Sequence, residues 1–408
     1  MGRSLRELRP VYVVGIGLHR YQYASETTYV TLGLTAVRGA LADAGIGFAD
    51  IESVYTGTAL LGIAPTRAML RHLGATGIPM AQVENASASG STAVAQACLE
   101  VASGVSDVVL ALGIDKPGPV AMAPGRTGIR DLAGARVAPF THFALLANQY
   151  MHRHGVRPEQ VGQVAVKNSR NAAQNPYAQR QKLRTLEEVM APPRIAGTLT
   201  RLQCCPVGEG AAALIVASDE GIERLSLPPS RAVRVLSSVT RTERVYPGAA
   251  NWDAELTRET TALACEAAGV GPEELDVLEV HDAFTIEELL YVEAIGLCGE
   301  GEAAERLARG EFDVGGRCAV SPSGGLLAMG HPLGPTGAGQ VCEITRQLRG
   351  EAGPRQQPDA RTGLAHMVGV GAVCVVHVLA AALRRPSASR SPPSSTVAAG
   401  AGRAGPPG

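Results

Sequence analysis

Aromatic residues are scarce in this chain: 4% of its 408 residues, with a single tryptophan. That scarcity argues against a binding surface built on stacked rings. An excess charge of one sign is also missing. Lys and Arg number 37 and Asp and Glu 38, for a net charge of -1. The balance gives no reason to expect nucleic acid or an anionic membrane as a partner. No apolar run reaches the ~18 residues of a membrane-crossing helix. The N-terminal residues lack the apolar core of a secretory signal, so a cytoplasmic protein is expected. The eight cysteines (Cys98, Cys204, Cys205, Cys265, Cys298, Cys318, Cys342 and Cys374) form no C-x-x-C pair. Free buried thiols in a reducing compartment are expected, with no metal site.

What is abundant is small and apolar. Hydrophobic residues make up 45% and glycines number 48. This fits an α/β protein in which helices lie close on strands. At roughly 150 residues per domain, the length corresponds to two or three units.

An internal repeat organises the chain. Thr35 to Ile46 reads as an amphipathic helix ending at Gly45, followed by Asp50, Ile51 and a short strand from Ser53 to Tyr55. Thr260 to Val270 repeats the helix and its glycine, Gly269, followed by Glu274, Leu275 and a strand from Val277 to Val280. Two halves built alike imply duplication, each alternating strands and helices. The first half, 1–230, contains strands at Val11–Gly17, Val108–Gly113 and Ala211–Ala217. It is interrupted at about 116–200 by an inserted loop region with one good helix near Phe143–His152. The second half is 231–385 and closes on a strand from Gly371 to Leu379. The Ser/Pro/Ala/Gly-rich tail, 386–408, buries too little apolar surface to order itself and is expected to be disordered.

The chemistry gathers at a few motifs. Val83 to Ser91 leaves an apolar strand and enters a helix expected from Thr92 to Val101, with Ser87 at the turn. A nucleophile there gains from backbone N–H groups and the helix dipole, although Ser87 at a helix start also fits a simple N-cap. Further on come Leu202-Gln203-Cys204-Cys205-Pro206, His281-Asp282-Ala283-Phe284, Ser321-Pro322-Ser323-Gly324-Gly325, Gly330-His331-Pro332-Leu333-Gly334 and Val368-Gly369-Val370-Gly371. His331, between Gly330 and Pro332, is a poor core histidine and reads as a site group. His281 ends an apolar strand beside an acid. Asp282 reads as an orienter or cap, Glu84 and Asn85 as braces of the turn, and His366, His142 and His154 as structural or surface groups. The basic residues Lys167, Arg170, Arg180, Lys182, Arg184 and Arg194 form a solvated face by default, or a phosphate contact.

In this order, the motifs resemble the thiolase family over nearly all the chain before the tail, most closely the sterol carrier protein x type. The resemblance implies a thiolase-like α/β fold of duplicated βαβαβ halves in a five-layered αβαβα arrangement, with an inserted loop domain over the site. It implies a homodimer, and an acyl-CoA or acyl carrier protein thioester as substrate and partner, with no further cofactor. It places Ser87 where the family has its nucleophilic cysteine, and His331 as the group that takes the nucleophile's proton. His281 would polarise the thioester oxygen, directly or through water. Gly369 and the backbone N–H of Ser87 would form a second oxyanion hole, in which one donor contributes about 2.7–4 kcal/mol. The family's second, acid/base cysteine falls at Ala283 or at Met367, and neither is a thiol. Cys374 lies beyond the last glycine loop in an apolar strand.

Cysteine is a few per cent thiolate at neutral pH, whereas a serine hydroxyl needs a positioned base. An oxyester on Ser87 would be less electrophilic than a thioester, and the second acid/base group is missing, so Claisen condensation is disfavoured. Acyl transfer through Ser87, with His331 as base, is the expected function. One alternative is a cysteine-independent retro-aldol lyase on CoA thioesters, a reaction that relatives perform with an OB-fold partner protein and for which Tyr291 is a candidate proton donor. The other is an inactive acyl-CoA-binding subunit.

Overall fold

The two copies of the helix-plus-glycine pattern end in the same way. In a computed structural model describing residues 5–117, 139–248, 251–369, 373–381 and 408, Gly45 and Gly269 both adopt left-handed backbone, with φ 75° and 67°. Each directs its N–H back to the last helical carbonyls, a conformation that glycine adopts without a Cβ penalty. The expected tail, apart from Gly408, and the predicted strand start at Gly371 lie outside the described residues.

The strands of the first half are β1 (Val11–Gln22), β2 (Ser53–Gly57), β3 (Met80–Val83), β4 (Val108–Asp115), the small hairpin β5 (Arg194–Ala196) and β6 (Leu199–Thr200), and β7 (Glu209–Ala217). Those of the second are β8 (Val233–Thr242), β9 (Val277–Glu279), β10 (Ala319–Val320), β11 (Thr362–Gly369) and β12 (Val373–Ala380). Helices α1 (Tyr29–Ala44), α2 (Pro65–Leu70), α3 (Ser89–Ser103), α4 (Pro139–His154), α5 (Pro158–Ala173), α6 (Leu186–Met190) and α7 (Asp219–Arg224) belong to the first half. In the second are α8 (Trp252–Ala268), α9 (Thr285–Ile295), α10 (Ala303–Ala308), α11 (Gly325–Ala328) and α12 (Leu333–Arg349).

The strand order is β10-β9-β11-β12-β8-β1-β7-β4-β2-β3. From the centre outward the two halves are copies: β1 matches β8, then β7 and β12, β4 and β11, β2 and β9, and β3 and β10. They join through the antiparallel pair β1–β8, from Val11↔Val235 to Val13↔Val233. Helix α1 covers β1 and β7, and α8 covers β8 and β12. Helices α3 and α12 lie against each other and touch strands of both halves. The sheet therefore folds over this helix pair, giving the five αβαβα layers expected from the sequence. One buried cluster fills the interior, with Val94, Ala97 and Val101 of α3, Ala338, Val341 and Ile344 of α12, Leu214 of β7 and Ala365 of β11.

Glycine lets the two central helices meet. A Cβ on Gly90 would lie 2.2 Å from the carbonyl oxygen of Gly334, and one on Gly113 2.5 Å from the same atom. Since backbone is the obstacle, Gly90→Ala forces the helices apart. We expect a loss on the order of 3 kcal/mol of unfolding free energy, as for other overpacked cores, read from the urea midpoint.

Two expectations need correction. Helix α3 begins at Ser89, three residues before the expected Thr92, because Ser89, Gly90 and Ser91 continue the helix as small buried residues, Ser89 against β2 and Gly90 and Ser91 against α12. The region expected to be mostly loop, about 116–200, contains α4, α5 and α6. Helix α5 buries Val161, Val164, Ala165 and Ala172 on one face. Its lysine, arginine and asparagines obscure that pattern in the sequence.

Candidate active site

The chain reaches Ser87 through a strained step. After β3, Ala86 takes φ 48°, a left-handed conformation that costs a non-glycine residue about 1–3 kcal/mol and often marks functional turns. The turn is braced locally. Asn85 N–H donates to Ser89 Oγ at 2.9 Å, Asn85 Nδ2 to Thr92 Oγ1 at 2.9 Å, and Ala86 N–H to Glu84 Oε1. The helix cap position falls to Ala88, which makes no side-chain cap bond. Ser87 is not the cap. Its buried hydroxyl lies 3.1 Å from His331 Nε2.

The partners of His331 fix its tautomer. Thr336 Oγ1 lies against Pro332 O and is 3.0 Å from His331 Nδ1. A carbonyl oxygen only accepts, so the single hydroxyl proton of Thr336 goes to Pro332, and Thr336 accepts Nδ1–H from the ring. The lone pair of Nε2 then faces the Ser87 hydroxyl. Burial, and secondarily the His281 ring, hold His331 well below the ordinary histidine range. The ring is neutral at neutral pH and free to accept a proton. The loop carrying it is held from beneath by Asp115, whose Oδ2 accepts Gly334 N–H at 2.6 Å.

His281 meets His331 edge-on, with ring centroids 5.4 Å apart. Its Nδ1 lies 3.2 Å from Glu287 Oε1, which also accepts the Tyr291 hydroxyl at 3.2 Å, while Glu287 Oε2 accepts Phe284 N–H at 2.8 Å. The carboxylate orients the ring and leaves Nε2 buried with no hydrogen-bond partner among the described residues. A buried acceptor in that state is a position for a water or a ligand hydroxyl. Asp282 faces away from the pair. Its carboxyl accepts Leu326 N–H and Asn168 Nδ2, each at 2.6 Å, and burial with nearby Glu288 pushes it well above the usual carboxylate range. The Tyr291 hydroxyl is buried against Glu287, and burial raises it well above the ordinary tyrosine value.

Gly369 ends β11 beside the Ser87 turn, where a Cβ would meet Asn85 O at 2.4 Å. The two positions expected for a second sulfur, Ala283 and Met367, are both buried. Cys374 is sealed in β12, where burial pushes its thiol up to about 12. Two cysteines lie beside the segment that follows His281. Cys205 N–H donates to Ala283 O at 2.8 Å, and Cys204, Cys205, Phe284, Phe140, Ile195 and Arg201 line a cavity of about 420 Å³. Of the six basic residues considered as a phosphate contact, five are engaged within the fold. Lys167 pairs with Glu288, Arg170 with Asp313, and Lys182 and Arg184 with Glu188, while Arg180 donates to the carbonyls of Cys204 and Leu327. Arg194 is exposed.

Sequence reasoning brought Ser87, His281, His331 and Gly369 to this place but missed Thr336 and Glu287, which set the histidines. Their signals were weak: a threonine five residues after His331, and a glutamate at the third position of a helix with Tyr291 one turn on. His366 was expected to be structural or superficial. It is fully buried behind the site, with Nε2 2.9 Å from Thr257 Oγ1.

Three buried histidines make stability depend on pH. Burial lowers His366 to about 3 and His377 to about 4 from 6.5, and lowers His331 in the same direction. The unfolded chain binds more protons at these rings as pH falls below 6.5, so their contribution is complete above that value. It is lost progressively as pH falls toward 4 for His377 and toward 3 for His366. Each ring adds a slope of about 1.4 kcal/mol per pH unit within its window. Urea titrations should show His377→Gln losing one such increment between pH 6.5 and 4, with no change of slope above pH 7.

No helix among the described residues is long and apolar enough to cross a membrane. The thiolase N-terminal domain family matches residues 16–185, and the thiolase C-terminal domain-like family matches residues 241–381. Sterol carrier protein 2 of Gallus gallus is 37% identical over 396 residues, 91% of this chain and 72% of that one. The benzoylsuccinyl-CoA thiolase subunit BbsB of Thauera aromatica is 35% identical, covering 89% of this chain and 95% of the relative. Among solved structures, the Ltp2-ChsH2(DUF35) aldolase aligns with a TM-score of 0.78 at 25% identity, over 92% of this chain and 98% of that one. Matched in both halves and to relatives over most of their length, the chain belongs to the thiolase family.

Proposed function

We propose that the protein is an acyltransferase acting on acyl-CoA or acyl carrier protein thioesters, with Ser87 as the acyl-accepting nucleophile. The observation that carries this reading is the 3.1 Å contact of Ser87 Oγ with a His331 Nε2 whose lone pair is fixed in place by Thr336. Ser87 Oγ attacks the thioester carbonyl as its proton passes to His331 Nε2. The backbone N–H groups of Ser87 and Gly369 receive the developing oxyanion, together with a water that donates one hydrogen bond to the lone pair of His281 Nε2 and the other to the oxygen. The C–S bond breaks, and His331 returns the proton to the leaving sulfur. The acyl group, now an ester on Ser87, passes to an oxygen, nitrogen or activated carbon acceptor. Similarity to a CoA-thioester thiolase subunit supports this substrate class. Intact-mass spectrometry after incubation with a panel of acyl-CoAs tests it: an acyl increment on the native chain, absent from Ser87→Ala, is expected. An unchanged mass across the panel rules out the covalent step.

A second reading, retro-aldol cleavage of a CoA thioester with an OB-fold partner, is favoured by the Ltp2-ChsH2(DUF35) aldolase neighbour. It uses His331 as base and His281, through a bridging water, at the enolate oxygen, and it has no need of Ser87. Ser87→Ala therefore separates the two readings. In either case we propose a cytoplasmic homodimer, with β3, an edge of the sheet, available to a second copy.

A further inference from the structure

Behind the two histidines lies a second, smaller polar space. It is a cavity of about 10 Å³ whose walls include Tyr21, Glu279, Ser323, Thr336, Gln340 and Glu343. That volume matches one water molecule. Its lining is unusually short of partners. Gln340 is 4% exposed, and neither its Oε1 nor its Nε2 has a hydrogen-bond partner among the described residues. Glu343 is 2% exposed. Its Oε1 is taken by Gln347 and Arg355. Its Oε2 has no hydrogen bond and stands 3.8 Å from Arg346. Glu279 accepts Ser323 N–H and Oγ–H, at 2.8 and 2.7 Å, and each of its oxygens retains a lone pair.

We propose that this cavity is a built water site, in which one water held by Gln340, Glu343 and Glu279 ties β9 to α12 beneath the two histidines. A water both donates and accepts, so it satisfies the amide and the carboxylate oxygen together. A metal cation would satisfy only the acceptors and leave Gln340 Nε2 orphaned. The charges agree: Arg355 and Arg346 offset Glu343 and Glu279, and burial beside Glu343 raises the Glu279 carboxyl above the usual carboxylate range. No net negative charge remains to hold a cation. The location gives the water a role. Glu279 stands two residues before His281 on β9. Gln340 stands one helical turn after Thr336, the residue that fixes His331. The water therefore braces the supports of both rings at once, and this inference requires no particular reading of the reaction.

A high-resolution crystal structure of the unaltered protein tests the site. One ordered water is expected within hydrogen-bond distance of Gln340, Glu343 and Glu279. An empty cavity, a Gln340 side chain turned to another partner, or contacts short enough for a metal ion would each overturn the proposal. Gln340→Leu keeps much of the volume and removes both polar atoms. It should expel the water and lower the melting temperature by several degrees, because Glu343 Oε2 is then stranded. A melting temperature unchanged or raised would mean the space was dry and would also overturn it. If that variant does not fold, the structure of the unaltered chain decides alone.

Discussion

Ser87→Ala is expected to abolish acyl transfer, lowering kcat/KM by roughly 10³-fold or more. The alanine removes the hydroxyl that hydrogen-bonds to His331 Nε2. Ala86 still holds its left-handed step, and the bonds of Asn85 to Ser89 and Thr92 do not involve the Ser87 side chain. The fold and thioester binding should therefore survive, so the loss falls on kcat with KM little changed. Steady-state kinetics with an acyl-CoA that labels the native chain measures this split. Ser87→Cys supplies the complementary result. A thiol beside the same neutral imidazole ionises far more readily than a hydroxyl, so labelling should accelerate. If Ser87→Ala keeps its turnover, the serine ester is not on the path and the lyase reading takes its place.

His331→Gln is expected to cost as much as Ser87→Ala, and the double variant no more than either single one. The amide keeps polarity at the position but cannot accept a full proton. Residues that act as a unit lose their function together, so the effects of removing each are far from additive. Two independent contributors would instead multiply their losses. A double-mutant cycle on kcat/KM decides between these outcomes. Thr336→Val should give a smaller loss, on the order of 10-fold to 100-fold, because the ring stays in place while its tautomer is released. Its signature is a change in the imidazole nitrogen shifts of His331, which a purely structural role would leave unmoved.

Much of the site was legible from short stretches of sequence, because its principal groups sit in local motifs. Ser87 lies where a strand gives way to a helix, and His331 lies between a glycine and a proline. The repeat was legible for the same reason, since Gly45 and Gly269 mark helix ends that need left-handed backbone. The supporting groups were not legible in this way. Glu287 acts on His281 only because α9 turns back beneath the end of β9, and a glutamate early in a helix usually needs no further explanation. Thr336 orients His331 through a hydroxyl that must also reach Pro332, which is a three-body geometry. Lys167 reads as one of a run of surface cations. It is buried because α5 crosses α9, bringing it 3.0 Å from Glu288.

The copied strand order also bears on where the reaction site stands. Helices α3 and α12 are counterparts in the two halves, since each leads into the matching strand, β4 or β11. Ser87 lies two residues before α3, and His331 lies two residues before α12. The nucleophile position and its base are therefore symmetry mates, brought into contact where a local twofold axis would pass between the halves. A doubled fold of this kind yields one centre rather than two, because each repeat supplies one member of the pair. Separating the chain at the boundary near residue 230 would leave two pieces, each with half of a proton-transfer couple, and only their reassociation would restore it.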